Sequence, residues 1–350
     1  MSATVAAPAA PRFRISLSQE WLLLIGIAAL FIIVGLINPR FVASRNLQSI
    51  LLANAYVAVA AIGMSVVIIS GNIDISVGSL IGVLASVSGA LAVAGVPIFL
   101  SWAIPVVLGI LVMMLQGALV AYLRIPSIVV TLGMLSILKG GLISVTNGVW
   151  ISGMPDGFHL AQWHLIDLFI TAAPGFQPVL PDALAPFKPV FDLLTMPVMF
   201  MLVLTLGAAW WMRNTAAGRS VYAVGGNAEA ARLCGIPRER TLMMVFAVHG
   251  LFVGLAAVLF ATQPSVIQST VPPNLELTII TASVVGGVSI LGGTGTVIGS
   301  TLAAILIAAI GSALIFVNIS PYWLRAAQGI LILVTVLADI YRRRRRGLAR

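Results

Sequence analysis

The sequence predicts an all-α integral membrane protein with about ten transmembrane helices, and three observations lead to this prediction. Of the 350 residues, 60% are hydrophobic and 8% are charged, with a mean hydropathy of +1.11. Soluble domains carry about 25% charged residues, so a soluble fold is excluded. Apolar windows long enough to cross a bilayer, about 20 residues, recur along the chain. Most arginines lie in the short connections between these windows, as the positive-inside rule requires.

The apolar windows predict ten spans, with broken or glycine-rich backbone near 70–79 and 286–295. In order, the predicted spans are 21–37, 50–70, 76–96, 99–122, 126–146, 196–212, 242–262, 277–292, 296–316 and 322–341. The window at 277–292 is short and interrupted by glycines, which is typical of a partial span. An even number of spans places both ends of the chain on one side of the membrane.

The charge distribution predicts that this side is the cytoplasm. Both termini and the inner connections then receive most of the arginines, whereas the long outer connection at 147–195 carries four aspartates. Arg40 and Arg45 are exceptions on the outer side. We therefore predict a cytoplasmic leader at 1–20, one membrane domain at 21–341 and a basic cytoplasmic tail at 342–350. Within the membrane domain, 147–195 is a periplasmic segment and 213–241 is a cytoplasmic loop.

Two further compositional features restrict the function. The net charge of +9 comes from the C-terminal arginine block and the loops, so we expect no nucleic-acid partner. The single cysteine, Cys234, excludes an intrachain disulfide.

His159 and His164 lie five residues apart without a convergent carboxylate, which is a weak metal signal, and we expect no metal site. A structural cap over the outer mouth of the protein is the preferred interpretation of the 147–195 segment.

The stretch at 70–79 is the first candidate functional site, because it places Asp74 among glycines and serines between two apolar windows. A charged side chain at the bilayer centre costs about 2.5–3.5 kcal/mol on insertion scales, which makes such a residue a functional candidate. The spacing alone leaves a solvated cytoplasmic turn equally open. If the segment is functional, Asp74 either clamps a helix end, which we favour, or contacts the solute. The candidate pathway residues are Asn72, Asp74, Ser76, Gly78, Ser79 and, from the fifth span, Lys139.

Other polar residues of the spans are interpreted more simply. Lys139 either extends to the membrane interface or lines an outer vestibule, and the sequence leaves both open. His249 lies in an apolar span and is expected to be a helix-packing residue rather than a ligand.

The inner loop contains the second candidate site. Asn227 is a favourable N-cap for the alanine-rich run that follows, and Gly235 stands where a C′ glycine ends a helix. These signals predict a helix at about 228–234. A helix of two turns is unstable alone in water, so it must be covered by this protein's membrane domain, by the headgroups or by a partner.

Four motifs resemble permeases of ATP-binding-cassette (ABC) sugar importers, the branch that handles ribose, xylose, arabinose and galactose. Residues 72–79 read NIDISVGS, similar to the family's GIDLSVGS, and 125–136 read IPSIVVTLGMLS with KG at 139–140. Residues 225–236, GGNAEAARLCGI, are similar to the loop that couples importer permeases to their ATPases. Residues 285–295, VGGVSILGGTG, are also family-like. The set covers most of 46–340 in the family's order.

Two departures from the family's usual sequence, and one neighbouring motif, bear on which branch the chain resembles. Asn72 stands where most of these permeases carry glycine, and residues 148–155, GVWISGMP, resemble the autoinducer-2 and rhamnose branch. Lys139 stands where many relatives carry an arginine. Lysine keeps the positive charge but lacks the planar guanidinium group and its paired N–H donors.

The resemblance implies a permease subunit in the bacterial inner membrane that passes a rhamnose-like sugar, another pentose or hexose, or autoinducer-2 to the cytoplasm. It implies cytoplasmic ABC ATPase subunits, a periplasmic sugar-binding protein and a second permease subunit as partners. The chain contains no G-x-x-x-x-G-K-[ST] phosphate loop, so ATP is expected to bind to the partner subunit. We expect this chain to have no cofactor and no enzymatic activity of its own. The residues implied to contact the ATPase are Gly226, Asn227, Ala228, Glu229, Ala230, Ala231, Arg232, Gly235 and Ile236. A gradient-driven transporter or channel without an ATPase is the alternative.

Overall fold

The computed structural model describes residues 19–159, 193–269 and 273–345, with side chains described as far as Tyr341. Among these residues the chain forms the following helices: α1 Gln19–Ile37, α2 Ser44–Ile69, α3 Val77–Val93, α4 Ile98–Ala121, α5 Ser127–Thr146, α6 Met196–Asn214, α7 Ala216–Gly226, α8 Ala228–Leu233, α9 Arg238–Ala261, α10 Leu275–Val285, α11 Val297–Phe316 and α12 Trp323–Arg345. A short 3₁₀ helix, Pro39–Val42, and two short strands, β1 Ile151–Ser152 and β2 Val266–Ile267, are also present among the described residues. Most of the predicted leader, the end of the basic tail and His164 lie outside the described residues.

The predicted fold class is confirmed. Eight of the described helices are long and apolar enough to cross a membrane, and α3 and α10 are apolar but shorter. Together they correspond one to one with the ten predicted spans. The breaks predicted near 70–79 and 286–295 separate α2 from α3 and α10 from α11.

The helix boundaries differ from the predicted spans where polar residues continue a helix beyond the apolar window. The second span begins at Ser44 instead of residue 50, and the seventh at Arg238 instead of 242. The eighth span ends at Val285 instead of 292 because Gly286 leaves the helix and Gly287 takes a positive φ of 94°. α7 was missed in the loop at 213–241; its N-cap, Thr215, accepts a hydrogen bond from the amide of Gly218 at 3.0 Å.

Helix α2 is the centre of the bundle. Its residues from Val57 to Ile69 are buried on every face, and it packs against α6, α9, α10 and α11. Next to it, α4 and α9 form the most extensive helix pair of the described residues. They approach closely at Gly109 and Gly250, where a Cβ added to Gly109 would lie 2.8 Å from the Gly250 carbonyl oxygen. Small residues allow such approaches in membrane bundles, where packing replaces the hydrophobic effect.

An unpredicted two-stranded ribbon joins the chain after α5 to the chain after α9. β1 and β2 are antiparallel, with Ile151 opposite Ile267 and Ser152 opposite Val266. Gly89 of α3 gives the ribbon room, since an added Cβ would lie 2.5 Å from Cδ1 of Ile267. The ribbon therefore holds the C-terminal ends of α3, α5 and α9 together.

Candidate translocation segment and inner-face helix

The backbone between α2 and α3 is an ordered turn, which we name the break segment, Ser70–Ser76. α2 ends in a Schellman motif: the amide of Gly71 donates to the Ile68 carbonyl at 2.9 Å and that of Asn72 to Val67 at 3.2 Å. Gly71 takes the left-handed conformation that this motif requires, with φ of 84°. α2 thereby ends at Ile69, and seven residues separate it from Val77, where α3 begins.

Asp74 is the buried centre of the break segment. One carboxylate oxygen, Oδ1, accepts hydrogen bonds from both the amide and the hydroxyl of Ser76, each at 2.7 Å. The other, Oδ2, lies 3.0 Å from Nε2 of His249 on α9. Asp74 and His249 are both 0% exposed, so a solvated turn is excluded for this residue. The carboxylate caps the start of α3 and also joins it to α9.

Neighbours of Asp74 in the break segment form hydrogen bonds to two more helices. Nε2 of Gln116, on α4, donates to Oγ of Ser76 at 3.0 Å. The amide of Ile73 donates to Oγ of Ser127, at the start of α5, at 3.2 Å. Three helices thus hold the break segment through polar contacts, and such networks become stronger in a low-dielectric interior.

The other candidate pathway residues are distributed differently. Gly78 lies against the carboxylate of Glu276 on α10, where an added Cβ would be 2.6 Å from Oε2. Ser79 is buried in α3, and Asn72 donates a hydrogen bond to Oγ of Ser70 at 3.0 Å. Lys139 is exposed on α5, twelve residues beyond Ser127, which corresponds to about 18 Å along a helix. The structure therefore brings the candidates at 72–79 together and leaves Lys139 apart.

Four glycines form a backbone contact, the glycine junction, where the break segment meets the inner face: Gly71, Gly225, Gly292 and Gly293. The amide of Gly293 donates to the carbonyl of Ile69, the last residue of α2, at 2.8 Å. A Cβ at Gly225 would collide with this same carbonyl oxygen. A Cβ at Gly292 would lie 2.7 Å from the Gly225 carbonyl oxygen and 3.0 Å from Cα of Gly71. A side chain at Gly225, Gly292 or Gly293 would therefore force these segments apart.

The helix predicted at 228–234 is present as α8 with both of its predicted caps. Oδ1 of Asn227 accepts from the amides of Glu229 at 3.1 Å and Ala230 at 3.0 Å. At the other end Gly235 has φ of 79° and donates to the Arg232 carbonyl at 3.0 Å, which completes a second Schellman motif. Local hydrogen bonds therefore define α8 at both ends.

Only one side of α8 is covered by the described part of the protein. Ala231 is buried at 5% exposure, whereas Leu233 is 78% exposed. Glu229 and Arg232 form an exposed ion pair at 2.6 Å. The hydrogen bond and the positive charge of Arg232 lower the pKa of the Glu229 carboxyl, and the same contacts raise the pKa of Arg232. Beside this pair, an open cavity of about 510 Å³ is lined by Arg124, Ala228, Glu229, Arg232, Arg238 and Glu239.

Comparison with known families identifies this arrangement. The model of the family described as branched-chain amino acid transport system / permease component matches residues 46–336, which include the break segment, α8 and the glycine junction. The chain belongs to this permease family. It is a multi-pass inner-membrane protein.

Curated relatives cover almost the whole permease. The autoinducer 2 import system permease proteins LsrC of Salmonella typhi and Yersinia pseudotuberculosis are 32% identical over 322 residues, 92% of this chain and 86% and 85% of theirs. LsrC of Photorhabdus laumondii is 31% identical over 92% of this chain and 89% of its own. No solved structure matches the permease.

Two residues of the site were missed by the sequence analysis. His249 was assigned to helix packing, and it does pack on Gly63, but it is also the partner of Asp74. Arg124 was counted only as an inner-loop charge, yet its left-handed backbone, with φ of 56°, lies beside α8. The position of His249 within an apolar span was the one sequence signal for its role, because polar residues are rare in membrane spans.

No metal centre emerges from the residues described. Within the described ranges, no group of three or more His, Cys, Asp and Glu side chains is arranged to hold a metal ion. Nδ1 of His159 instead lies 3.3 Å from the carbonyl oxygen of Thr262.

Proposed function

We propose that the permease is the transmembrane subunit of an ATP-driven ABC importer. It passes autoinducer-2 or a similar sugar-like solute, such as a rhamnose-like monosaccharide, pentose or hexose, from a periplasmic binding protein to the cytoplasm. Two cytoplasmic ATPase subunits and a second permease subunit complete the transporter. The names of the relatives support this class of solute, and autoinducer-2 is the first to test.

The observation that carries the proposal is the half-covered α8. A two-turn helix gains too little from its own hydrogen bonds to be stable, so its exposed side needs a partner surface. That side presents Leu233 for apolar contact and the Glu229–Arg232 pair for polar contact. ATP hydrolysis takes place on the partner, because the permease has no phosphate-binding loop. Residues 226–236 are the proposed docking site for the ATPase.

The break segment is the proposed gate of the pathway. The two bonds from Ser76 to Asp74 support the helix-end clamp over direct solute binding for this carboxylate. A passage site binds weakly, since tight binding would slow release. Selectivity among solutes therefore belongs mainly to the binding protein, and Asn72, Gly78 and Ser79 shape the passage.

The labelling rate of Cys234 tests the docking assignment. Cys234 is the only cysteine of the chain and is exposed at the C-terminal end of α8. A polar maleimide should label it readily in inside-out vesicles of the permease alone, and at least several-fold more slowly when the co-encoded ATPase is bound. Cys234→Ser is the control for background labelling. An unchanged rate in a complex that copurifies would remove α8 from the interface.

A gradient-driven transporter is the second candidate, because one observation favours it. A carboxylate and an imidazole in contact inside the membrane, Asp74 and His249, are typical of proton-handling sites. Reconstitution in proteoliposomes separates the two functions. The importer requires ATP, the ATPase and the binding protein to accumulate labelled autoinducer-2, rhamnose or ribose. Uphill accumulation by the permease alone would establish the alternative.

A further inference from the structure

Both ends of the break segment are attached to the helices that flank α8 in the sequence. At the inner end, the glycine junction fixes Gly71 against Gly225, which precedes α8 by three residues. At the buried end, Asp74 bonds to His249 on α9, the helix that begins five residues after α8 ends. A displacement of α8 therefore has two direct routes to the break segment, one through α7 and one through α9.

The surroundings of His249 indicate that its imidazole is there for the bond to Asp74. Its Nδ1 is buried and has no hydrogen-bond partner among the described residues. A buried polar atom without a partner destabilises the folded protein, and an apolar side chain of similar volume would avoid this cost. Packing alone thus favours Leu or Met over histidine at this position.

The ring of His249 is also fixed in place. It rests on Gly63 of α2, where an added Cβ would lie 2.7 Å from Nδ1 and 2.9 Å from Cβ of Phe252. His249 lies in the middle of α9, eleven residues after Arg238 and twelve before Ala261. Because a carboxylate only accepts hydrogen bonds, the bond to Oδ2 of Asp74 requires Nε2 of His249 to carry the proton.

We propose that His249 is a positioning residue of the transport cycle, whose bond to Asp74 makes the break segment move together with α9. The inference rests on the proposed function, in which the ATPase moves α8 and the start of α9. Without this bond, α9 would slide past the break segment, and nucleotide-driven movement would not reach the gate. Among the described residues, Ser76 bonds directly to Asp74 and Gln116 bonds to Ser76, and both side chains are neutral.

The test measures whether the break segment responds to the ATPase. Asn72→Cys in a Cys234→Ser background places a single thiol in the break segment, where Asn72 is half-buried. The rate of its reaction with a small methanethiosulfonate is compared in the complete transporter with no nucleotide and with Mg-ATP and vanadate. We expect at least a threefold difference. His249→Leu should abolish this difference, and His249→Gln, which keeps an N–H donor, should restore part of it.

The controls separate positioning from folding. His159→Gln changes the other described histidine, which lies near the outer end of α9, and should leave the difference intact. The size-exclusion profile of each variant reports its folding. Should His249→Leu not fold, Asp74→Ala combined with His249→Ala replaces it, and the effects of the two changes on the rate difference should be non-additive because each removes the same bond.

The possible outcomes are distinct. A nucleotide-dependent rate that persists in folded His249→Leu, additive effects in the double variant, or no nucleotide dependence in the parent would each overturn the inference. Loss of the nucleotide-dependent rate difference in His249→Leu, with partial recovery in His249→Gln, supports the inference. In a protein that keeps Cys234 and carries His249→Leu, the bound ATPase should still slow the labelling of Cys234. If the ATPase does not slow this labelling even in the protein with His249 unchanged, the proposed function has failed instead.

Discussion

At the scale of single residues, the inner face of the permease depends on positions that have no side chain. Gly225 is the clearest example, because the carbonyl oxygen of Ile69 occupies the space that a Cβ would need. That carbonyl accepts the hydrogen bond from Gly293, so any displacement there also weakens the connection between α2 and the loop before α11. The contact links three distant parts of the sequence through backbone atoms alone.

Gly225→Ala is therefore expected to destabilise the permease by about 1–3 kcal/mol, the usual cost of overpacking. The measurement is the aggregation temperature of the detergent-solubilised protein by size exclusion. Gly207→Ala is the matched control, because a Cβ there meets nothing within 4 Å and alanine is the better helix former. Equal aggregation temperatures for the two variants would contradict the close contact at the junction.

The residue-scale chemistry could be predicted only in part. Asp74 was identified as a candidate because a carboxylate between two apolar windows is exceptional in any sequence. Its partner could not be identified, since His249 lies 175 residues further along and only the packing of α9 against α2 and α3 brings them together. The glycine junction was missed for the same reason, although its glycine-rich motifs were noted individually.

At the scale of elements, α8 illustrates how local capping defines a helix that packing barely supports. The side chain of Asn227 satisfies two amides that would otherwise lack partners, and Gly235 satisfies carbonyls at the other end. Since α8 has six residues and one buried side chain, these caps make up a large part of its stability.

Asn227→Ala should consequently increase opening of α8 without affecting the bundle. The loss of an N-cap costs about 1 kcal/mol, which corresponds to roughly fivefold faster amide hydrogen exchange at 228–234. Hydrogen exchange with mass spectrometry measures this in detergent or nanodiscs, and Asn227→Asp, which keeps the acceptor, is the control. Unchanged exchange in Asn227→Ala would show that tertiary contacts, not the cap, hold the helix.

Element prediction succeeded where the signals are local. The apolar windows predicted the spans, and the N-cap Asn227 and the C′ glycine Gly235 predicted α8. α7 was missed because Gly218, Gly225 and Gly226 lower its helix propensity, and its stability comes from packing of Val221 and Val224 into the core. β1 and β2 were missed because two-residue strands have no periodicity to detect.

At the scale of the whole molecule, the orientation in the membrane is a prediction from arginine distribution. It places α8, the glycine junction and the cavity beside Arg124 on the cytoplasmic face. It places β1 and β2 on the periplasmic face. The two sets of features lie at opposite ends of α9, so they are expected on opposite sides of the membrane, and the arginine distribution alone predicts which side is the cytoplasm.

Thiol labelling of the assembled protein tests this orientation. Cys234 should react with an impermeant maleimide only in inside-out vesicles. Ser152→Cys in a Cys234→Ser background, an exposed position of β1, should react only in right-side-out vesicles or spheroplasts. Reaction of both thiols from the same side would contradict the topology, and the opposite pattern would invert it.

The ribbon of β1 and β2 has a mechanical consequence for this assembled bundle. Because it joins the chain after α5 to the chain after α9, a tilt of α9 about this pairing would displace the other end of α9 the most. α9 has 24 residues and a length of about 36 Å, so a tilt of about 10° would move its far end by about 6 Å. In the proposed transport cycle, a small rotation of α9 would thus separate the helices mainly at the end that carries α8.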